Sequence, residues 1–313
     1  FESDTGPDAG SLRHDALFYR DDDDYVTGIR TFVETGLAAD EPVLIAVPGT
    51  RLDLLRTALH ASSTDLRFVD MARDGRNPGW IIPGVLHAFV AENGRARVRI
   101  VGEPIWPGRS ATAYPRCVQH EALINIALAD RPVSILCPYD STRLDVDAIA
   151  DAASTHPYLV RAGDRQPSAG YGHPENVVDA LNLPFPAPEP SAATLFFDAS
   201  GLSEIRAMVA ALARRAGLST DRVEDLRVAA NEIATNAVLH SGRPAMVRAW
   251  LDEEGVVCEI TGSSVLTDRL AGRIPPSPVS DSGRGLLLLN YLCDLVQVHT
   301  DDTSTAVRLH MYL

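Results

Sequence analysis

The sequence predicts two domains of different layer architecture. The first is α/β, with a mostly parallel sheet, and the second is α+β, with an antiparallel sheet and helices on one face. Three observations carry this. In the first half, strand candidates apolar on both faces alternate with amphipathic helical patterns, as in a parallel sheet covered on two sides. In the last third, closely spaced strands lie beside helices, as in an antiparallel layer. Between them, residues 165–193 (RQPSAGYGHPENVVDALNLPFPAPEPSAA) carry six prolines, at 167, 174, 184, 186, 188 and 190, and read as a stiff extended connector with one short helical turn at Val177–Leu183. The expected domains are therefore 12–164 and 194–313. A chain of 313 residues is long enough for two cores.

The elements follow in order. In the first domain the strands are VLIAV (43–47), LRFV (66–69), RVRIV (97–101) and VSILC (133–137), with helical patterns near 23–37, 51–61, 81–92, 112–129 and 144–153. The acidic run DDDDY (21–25) lacks the spacing of a calcium loop and reads as a helix N-terminus, where carboxylates complement the helix dipole. In the second domain TLFFD (194–198) is strand-like, and helices follow at 201–216, closed by Gly217, and at 220–240. MVRAWLD (246–252) and GVVCEIT (255–261) are strands, 284–294 is a helix, and LVQVHT (295–300) and AVRLHMY (306–312) complete the sheet.

Charge and composition exclude several classes of function. All 28 basic residues are arginine, so there is no P-loop lysine, Schiff-base lysine or lysine general base. A net charge of −14 with no arginine cluster argues against direct nucleic-acid binding. No apolar run approaches the ~20 residues of a membrane span. The opening FESDTGPDAG has neither a basic nor an apolar leader region, which gives the expectation of a soluble cytoplasmic protein. The four cysteines, Cys117, Cys137, Cys258 and Cys293, lack metal-finger or CxxC spacing and read as reduced core thiols.

The stretch NEIATNAVLHSG (231–242) places polar groups inside a core-like helix. Leu226, Ala230, Ile233 and Ala237 make one apolar stripe, and Glu232, Asn236 and His240 form an i, i+4, i+8 row along its edge. A carboxylate and an amide oxygen one turn apart can hold a hydrated Mg²⁺ or position a hydroxyl and a water. A solvated helix flank is the alternative. Downstream, after two strands, GRGL (283–286) opens another helix, where the N–H groups around Gly283 and Gly285 can cradle phosphate and Arg284 can act as a charge clamp.

Taken in order, these motifs resemble the GHKL ATPase/kinase superfamily, over about residues 194–313. Within it, NEIATNAVLHSGRP resembles the N-box of the anti-sigma-factor serine kinases of bacterial partner switching. The resemblance implies a Bergerat-like α+β sandwich that binds ATP with Mg. It further implies that Glu232 acts as base toward a substrate serine and that Asn236 holds the Mg²⁺. The partners it implies are a STAS-type anti-sigma antagonist, a sigma factor, or both, and a homodimer fits the family. One family feature is missing. The adenine box D-x-G-x-G should fall in CEITGSSVLTDRLAGR (258–273), but Gly262 stands where the Asp belongs and Ser264 where the first glycine belongs. A lost hydrogen bond in a desolvated pocket costs on the order of 1–3 kcal/mol.

In the first domain HDALFYR (14–20), DDDDY, TFVETGLAADEPVLIAV (31–47), GEPIWPGRS (102–110), QHEALIN (119–125) and LCPYD (136–140) together resemble the MEDS sensory domain, over about residues 12–162. That resemblance implies a RecA/KaiC-like core that senses a small molecule, with hydrocarbon derivatives as the expected class, and fusion to a kinase-like domain. PGT (48–50) follows a buried strand where a phosphate loop would lie but has neither that loop's pattern nor its lysine. Ligands of open α/β sheets bind beyond the carboxyl ends of the strands. The expected pocket is lined by His14, Tyr19, Glu103, Trp106, Arg109, His120, Glu121 and Tyr139. Taken singly, His120 and Glu121 also read as helix-surface residues and Trp106 as core. Two functions stay open: a sensor-coupled anti-sigma regulator that phosphorylates its antagonist, and a catalytically inactive kinase-like module that signals by binding alone. A metabolic enzyme in the first domain is the weakest class, because no nucleophile–base set or cofactor fingerprint is visible.

Overall fold

The computed structural model describes residues 10–59, 66–239, 242–275 and 284–313. The chain divides into two compact units, Phe1–Asp179 and Ala180–Leu313.

The first unit runs β1 (Arg13–Tyr19), α1 (Asp22–Leu37), β2 (Val43–Val47), α2 (Gly49–Ala58), β3 (Leu66–Asp70), α3 (Pro78–Trp80), a π-turn (Ile81–Leu86), α4 (His87–Glu92), β4 (Val98–Gly102), α5 (Tyr114–Ala127), β5 (Val133–Asp140), α6 (Val146–Thr155), β6 (Tyr158–Arg161) and β7 (Asp164–Pro167). Its sheet has the order β3-β2-β4-β5-β1-β6-β7. Every pairing is parallel except β6–β7. Strands β2 and β5 are buried at every position, as continuous apolar runs require when helices cover both faces. Asp21 caps α1 by accepting from the Asp24 N–H at 2.9 Å, so the acidic run is a helix start, as its composition indicates.

Four local expectations are corrected. HDALFYR is not only a motif but most of β1, near the middle of the sheet, where a buried Asp15 hides the strand signal. That carboxylate accepts from Arg13 Nε at 2.8 Å and from Arg165 Nε and Nη2 at 2.8 and 3.2 Å. The same Arg165 draws the first residues of the expected connector into β7, so the extended connector does not begin at 165. The short helix in the proline-rich stretch is α7 (Pro174–Ala180), earlier than Val177–Leu183, because Pro174 is favoured in a first turn. The helix expected at 81–92 is interrupted over Ile81–Leu86, where Pro83 supplies no N–H to the ladder.

The second unit holds β8 (Ala193–Phe197), a 3₁₀ turn (Ala199–Gly201), α8 (Leu202–Ala216), α9 (Thr220–Leu239), β9 (Ala245–Leu251), β10 (Gly255–Gly262), α10 (Arg284–Leu292), β11 (Leu295–Thr300) and β12 (Thr305–Tyr312). The sheet order is β11-β12-β10-β9-β8, antiparallel throughout. Gly217 ends α8 at φ 90°, a left-handed cap that disfavours a side chain. Val256, Cys258 and Ile260 of β10 pack with Leu226, Ala230, Ile233 and Ala237 of α9 in one core.

The opposite face of β10 carries a buried ion cluster. Glu259 lies in register with both Arg248 and Arg308 and bonds to both. Part of the proline-rich segment lies over this face. Asn182 Nδ2 donates to Thr300 O at 2.7 Å, Arg308 Nη2 donates to Pro186 O at 2.8 Å, and the Arg308 guanidinium is 4.6 Å from the Phe185 ring centre. Residues 182–186 are thus a strap on the sheet rather than a free spacer.

Candidate functional site

In the second unit the site forms where α9 meets the start of α10. The apolar stripe of α9 is buried as its period predicts, which turns Glu232 and Asn236 to the half-buried edge of the helix. Asn231 faces the other way and accepts from Arg206 Nη1 of α8 at 2.7 Å. Gly285, the second residue of α10, comes directly against the pair. A Cβ built there would stand 2.8 Å from Asn236 Nδ2 and 4.0 Å from Glu232 Oε2. A side chain there would have to displace the Asn236 amide. The sequence-predicted Glu232, Asn236 and Gly285 are therefore brought together, with Arg284 beside them as the exposed first residue of α10. Gly283 and His240 lie outside the described residues.

The end of β10 differs. Gly262 is buried, and a Cβ on it would meet Ala237 Cβ at 2.9 Å and Ala237 Cα at 3.2 Å, so α9 fills the space a side chain would need. Asp268 is exposed and its Oδ1 accepts from Leu270 N at 2.9 Å, an assignment to a local turn. Ser264 is half-buried in the segment after β10. Toward a nucleotide with Mg, the phosphate end of this site fits, because the helix start opens onto a carboxylate and an amide. The end of β10 offers no carboxylate at Gly262 and no room for one there.

In the first unit the eight expected pocket residues fall into separate groups rather than one lining. Tyr19 and Glu103 meet at the carboxyl ends of β1 and β4, where the topology places ligands. Tyr25 joins them, donating from its hydroxyl to Glu103 Oε2 at 3.0 Å. Arg51 of α2 stacks over Tyr19 and Tyr25 at 5.5 and 4.7 Å. Burial pushes the Glu103 carboxyl up from 4.5 to about 8, against the lowering effect of the Tyr25 hydrogen bond. Burial also raises the Tyr19 phenol.

Trp106 and Arg109 stack on each other at 4.5 Å, and Arg109 Nη2 donates to the carbonyls of Gly75 and Arg76 at 3.2 and 2.8 Å. His120 lines a cavity of ≈ 10 Å³ with Ala46, Met71, Ile81, Ile135 and Cys137 among its walls. That is room for about one water or one methyl group.

His14, Glu121 and Tyr139 form the third group, inside the domain between the sheet and helices α5 and α6. Tyr139 OH donates to Glu121 Oε1 at 2.9 Å, and Glu121 Oε2 lies 3.2 Å from His14 Nε2. Cys137 and His156 complete this cluster and are absent from the sequence expectation. QHEALIN and LCPYD did contain Asn125 and Cys137, whereas His156 had no local signal. All four of His14, Glu121, Cys137 and His156 are at most 2% exposed. The charges around Glu121 hold its carboxyl down at about 2 despite burial, with the His14 hydrogen bond as the largest lowering cause. Burial lowers the His156 imidazole to about 3.

Comparison with known proteins agrees with both resemblances. Residues 13–157 match the MEDS family, "MEthanogen/methylotroph, DcmR Sensory domain", and residues 197–311 match the histidine kinase-like ATPase domain. The class is thus a MEDS domain joined to a histidine kinase-like ATPase domain. The "Serine-protein kinase RsbW" of Bacillus licheniformis is 33% identical over 115 residues, which span 32% of this chain and 72% of that protein. The RsbW of Bacillus cereus (strain AH187) is 29% identical over 116 residues, 33% of this chain and 72% of that protein. Through its second domain the chain belongs to the RsbW family. Among solved structures, the RsbU and RsbW domains of Rv1364c from Mycobacterium tuberculosis align with 18% identity and a TM-score of 0.31, over 66% of this chain and 49% of that one. No helix among the described residues is long and apolar enough to cross a membrane.

Proposed function

We propose that the chain is a sensor-coupled, anti-sigma-type regulator of transcription. In this reading residues 12–164 respond to a small molecule. Residues 194–313 capture a sigma factor or its STAS-type antagonist and phosphorylate a serine of the antagonist. The observation that carries the reading is the approach of Gly285 to Asn236 and Glu232. It brings a carboxylate and an amide, one turn apart on α9, against the start of α10, the arrangement that this reading needs. Bound Mg–ATP would supply the transferable phosphoryl group and its charge neutralisation. The chain's own part is to orient. Asn236 would hold the metal, the N–H groups at the start of α10 would hold the phosphates, and Glu232 would accept the proton of the serine hydroxyl. The RecA/KaiC-like kinship of the first domain is part of the same proposal, supported by α2 opening at Gly49 directly after the buried β2, in the place of a phosphate loop.

Calorimetry with Mg–ATP on the full chain tests this reading. The expected result is micromolar binding that Asn236→Ala weakens at least tenfold, followed by phosphorylation of a STAS-type antagonist that Glu232→Gln abolishes. Absence of heat up to millimolar nucleotide would refute the kinase reading.

Gly262 favours a second reading, in which the kinase fold is kept as an ATP-independent docking surface. Restoring the family's carboxylate by Gly262→Asp separates the two. Because the new Cβ would meet Ala237 Cβ at 2.9 Å, the variant is expected to gain no nucleotide affinity and to lose about 1–3 kcal/mol of stability by overpacking. Tighter ATP binding in Gly262→Asp would show that the adenine pocket is open and lacks only its acid.

A further inference from the structure

Four side chains buried in the first domain converge on one point. His14 Nε2 lies 3.2 Å from Glu121 Oε2 and 3.4 Å from Cys137 Sγ. Cys137 Sγ and His156 Nε2 each lie 3.6 Å from the same Glu121 Oε2. All four donor atoms fall within 4.8 Å of one another.

The hydrogen bonds around the cluster fix which ring nitrogens carry protons. Asn125 Nδ2 donates to Thr155 O at 2.8 Å and to Glu121 O at 3.2 Å, so its Oδ1 is the atom that faces His14 Nδ1 at 3.1 Å. That oxygen only accepts, and His14 Nδ1 is protonated. His156 Nδ1 lies 2.8 Å from Ala152 O, a carbonyl that only accepts, so it too carries its hydrogen. In both rings Nε2 is then the nitrogen that faces inward, toward the carboxylate oxygen and, for His14, the sulfur. His156 Nε2 has no hydrogen-bond partner among the described residues.

The arrangement is that of a ligand shell. Each imidazole gives its outer N–H to a carbonyl-type oxygen, and Tyr139 holds the far oxygen of the carboxylate, as the outer partners of metal ligands do. Bond lengths of about 2.0–2.3 Å to nitrogen, oxygen and sulfur in a tetrahedron put neighbouring donors about 3.3–3.7 Å apart. Four of the six separations, 3.2–3.6 Å, come close to that range, and all six are within 4.8 Å. Two nitrogens, one oxygen and one thiolate suit zinc before the harder cations, and a thiolate with a carboxylate balances a divalent charge.

We propose that His14, Glu121, Cys137 and His156 are the four ligands of a closed, tetrahedral zinc-type site that ties β1, α5, β5 and the residue after α6 together. Binding exchanges the Cys137 thiol proton for the S–metal bond and releases that proton to solvent. With all four positions taken by the protein, the site is structural or switching rather than hydrolytic. It is independent of the nucleotide reading of the second domain.

The test uses the full chain, reduced and stripped with a chelator, titrated with Co²⁺ and then Zn²⁺. The expected result is one equivalent of Co²⁺ per chain, with intense tetrahedral ligand-field bands and a thiolate-to-cobalt charge-transfer band, both displaced by Zn²⁺. Cys137→Ser removes the charge-transfer band, whereas Cys117→Ser, a buried thiol outside the cluster, retains it. Asn125→Ala, which touches only the outer shell, weakens Co²⁺ binding about 10–100-fold with an unchanged far-ultraviolet spectrum. A folded chain that gives only the weak spectrum of octahedral Co²⁺, or a charge-transfer band that survives Cys137→Ser, overturns the proposal.

Discussion

Glu259→Ala is expected to lower the unfolding free energy of the second domain by about 3–5 kcal/mol, the cost of removing the partner of a buried cation, Arg308. Glu259 is 2% exposed. Its Oε2 accepts from Arg308 Nε and Nη2 at 3.0 and 2.6 Å, and its Oε1 accepts from Arg248. Arg308 is itself buried, with its guanidinium 5.0 Å from the Trp250 ring centre, so no solvent replaces the lost carboxylate. Glu259→Gln, which keeps the shape but not the charge, should fall between parent and alanine variant. Chemical denaturation of the full chain is the measurement. A Glu259→Ala chain within 1 kcal/mol of the parent would show that the ion cluster does not hold the sheet.

The first domain should lose stability as pH rises. Glu103 has an ordinary value of 4.5 and is lifted to about 8 by burial. Below 4.5 both folded and unfolded chains carry the proton, and this group has no effect on stability. Between 4.5 and 8 the unfolded chain releases it while the folded chain keeps it, so stability falls as pH rises through this window and levels off above it. The total loss is roughly 3–5 kcal/mol at 1.36 kcal/mol per pKa unit. Glu103→Gln keeps an acceptor for the Tyr25 hydroxyl and removes the ionisation. Its stability should be close to the parent at pH 5 and exceed it at pH 8. Parallel pH profiles for the two chains would instead mean that Glu103 is ionised throughout.

How much of this was legible beforehand follows from the range over which each signal acts. Helix α9 and its half-buried Glu232 and Asn236 were readable because a 3.6-residue period is local, and GRGL marked its helix for the same reason. The approach of Gly285 to Asn236 could be expected only from family resemblance, because the two residues are 49 positions apart. Strand β1 was obscured by Asp15, whose burial makes sense only once Arg165 is seen beside it. The eight expected sensory residues were chosen by type and by their place after strands. That rule suits Tyr19 and Glu103, which do sit at strand ends. It fails for His14 and Glu121, which point into the layer between sheet and helices. Cys137 and His156 lacked any spacing cue, since the four residues of the cluster come from four separate parts of the chain. Prolines announced an extended backbone at 184–190 but not that Phe185 would lie against Arg308.

The strap across the second sheet also gives this protein an optical reporter. Of its three tryptophans, Trp80 and Trp106 belong to the first unit and Trp250 alone to the second. Trp250 is buried beneath the same Arg308 that holds Pro186 and Phe185. A chain carrying Trp80→Phe and Trp106→Phe would therefore emit from a single indole. Its colour and intensity would change when residues 182–186 lift from the sheet, so strap release could be followed by fluorescence without any added dye.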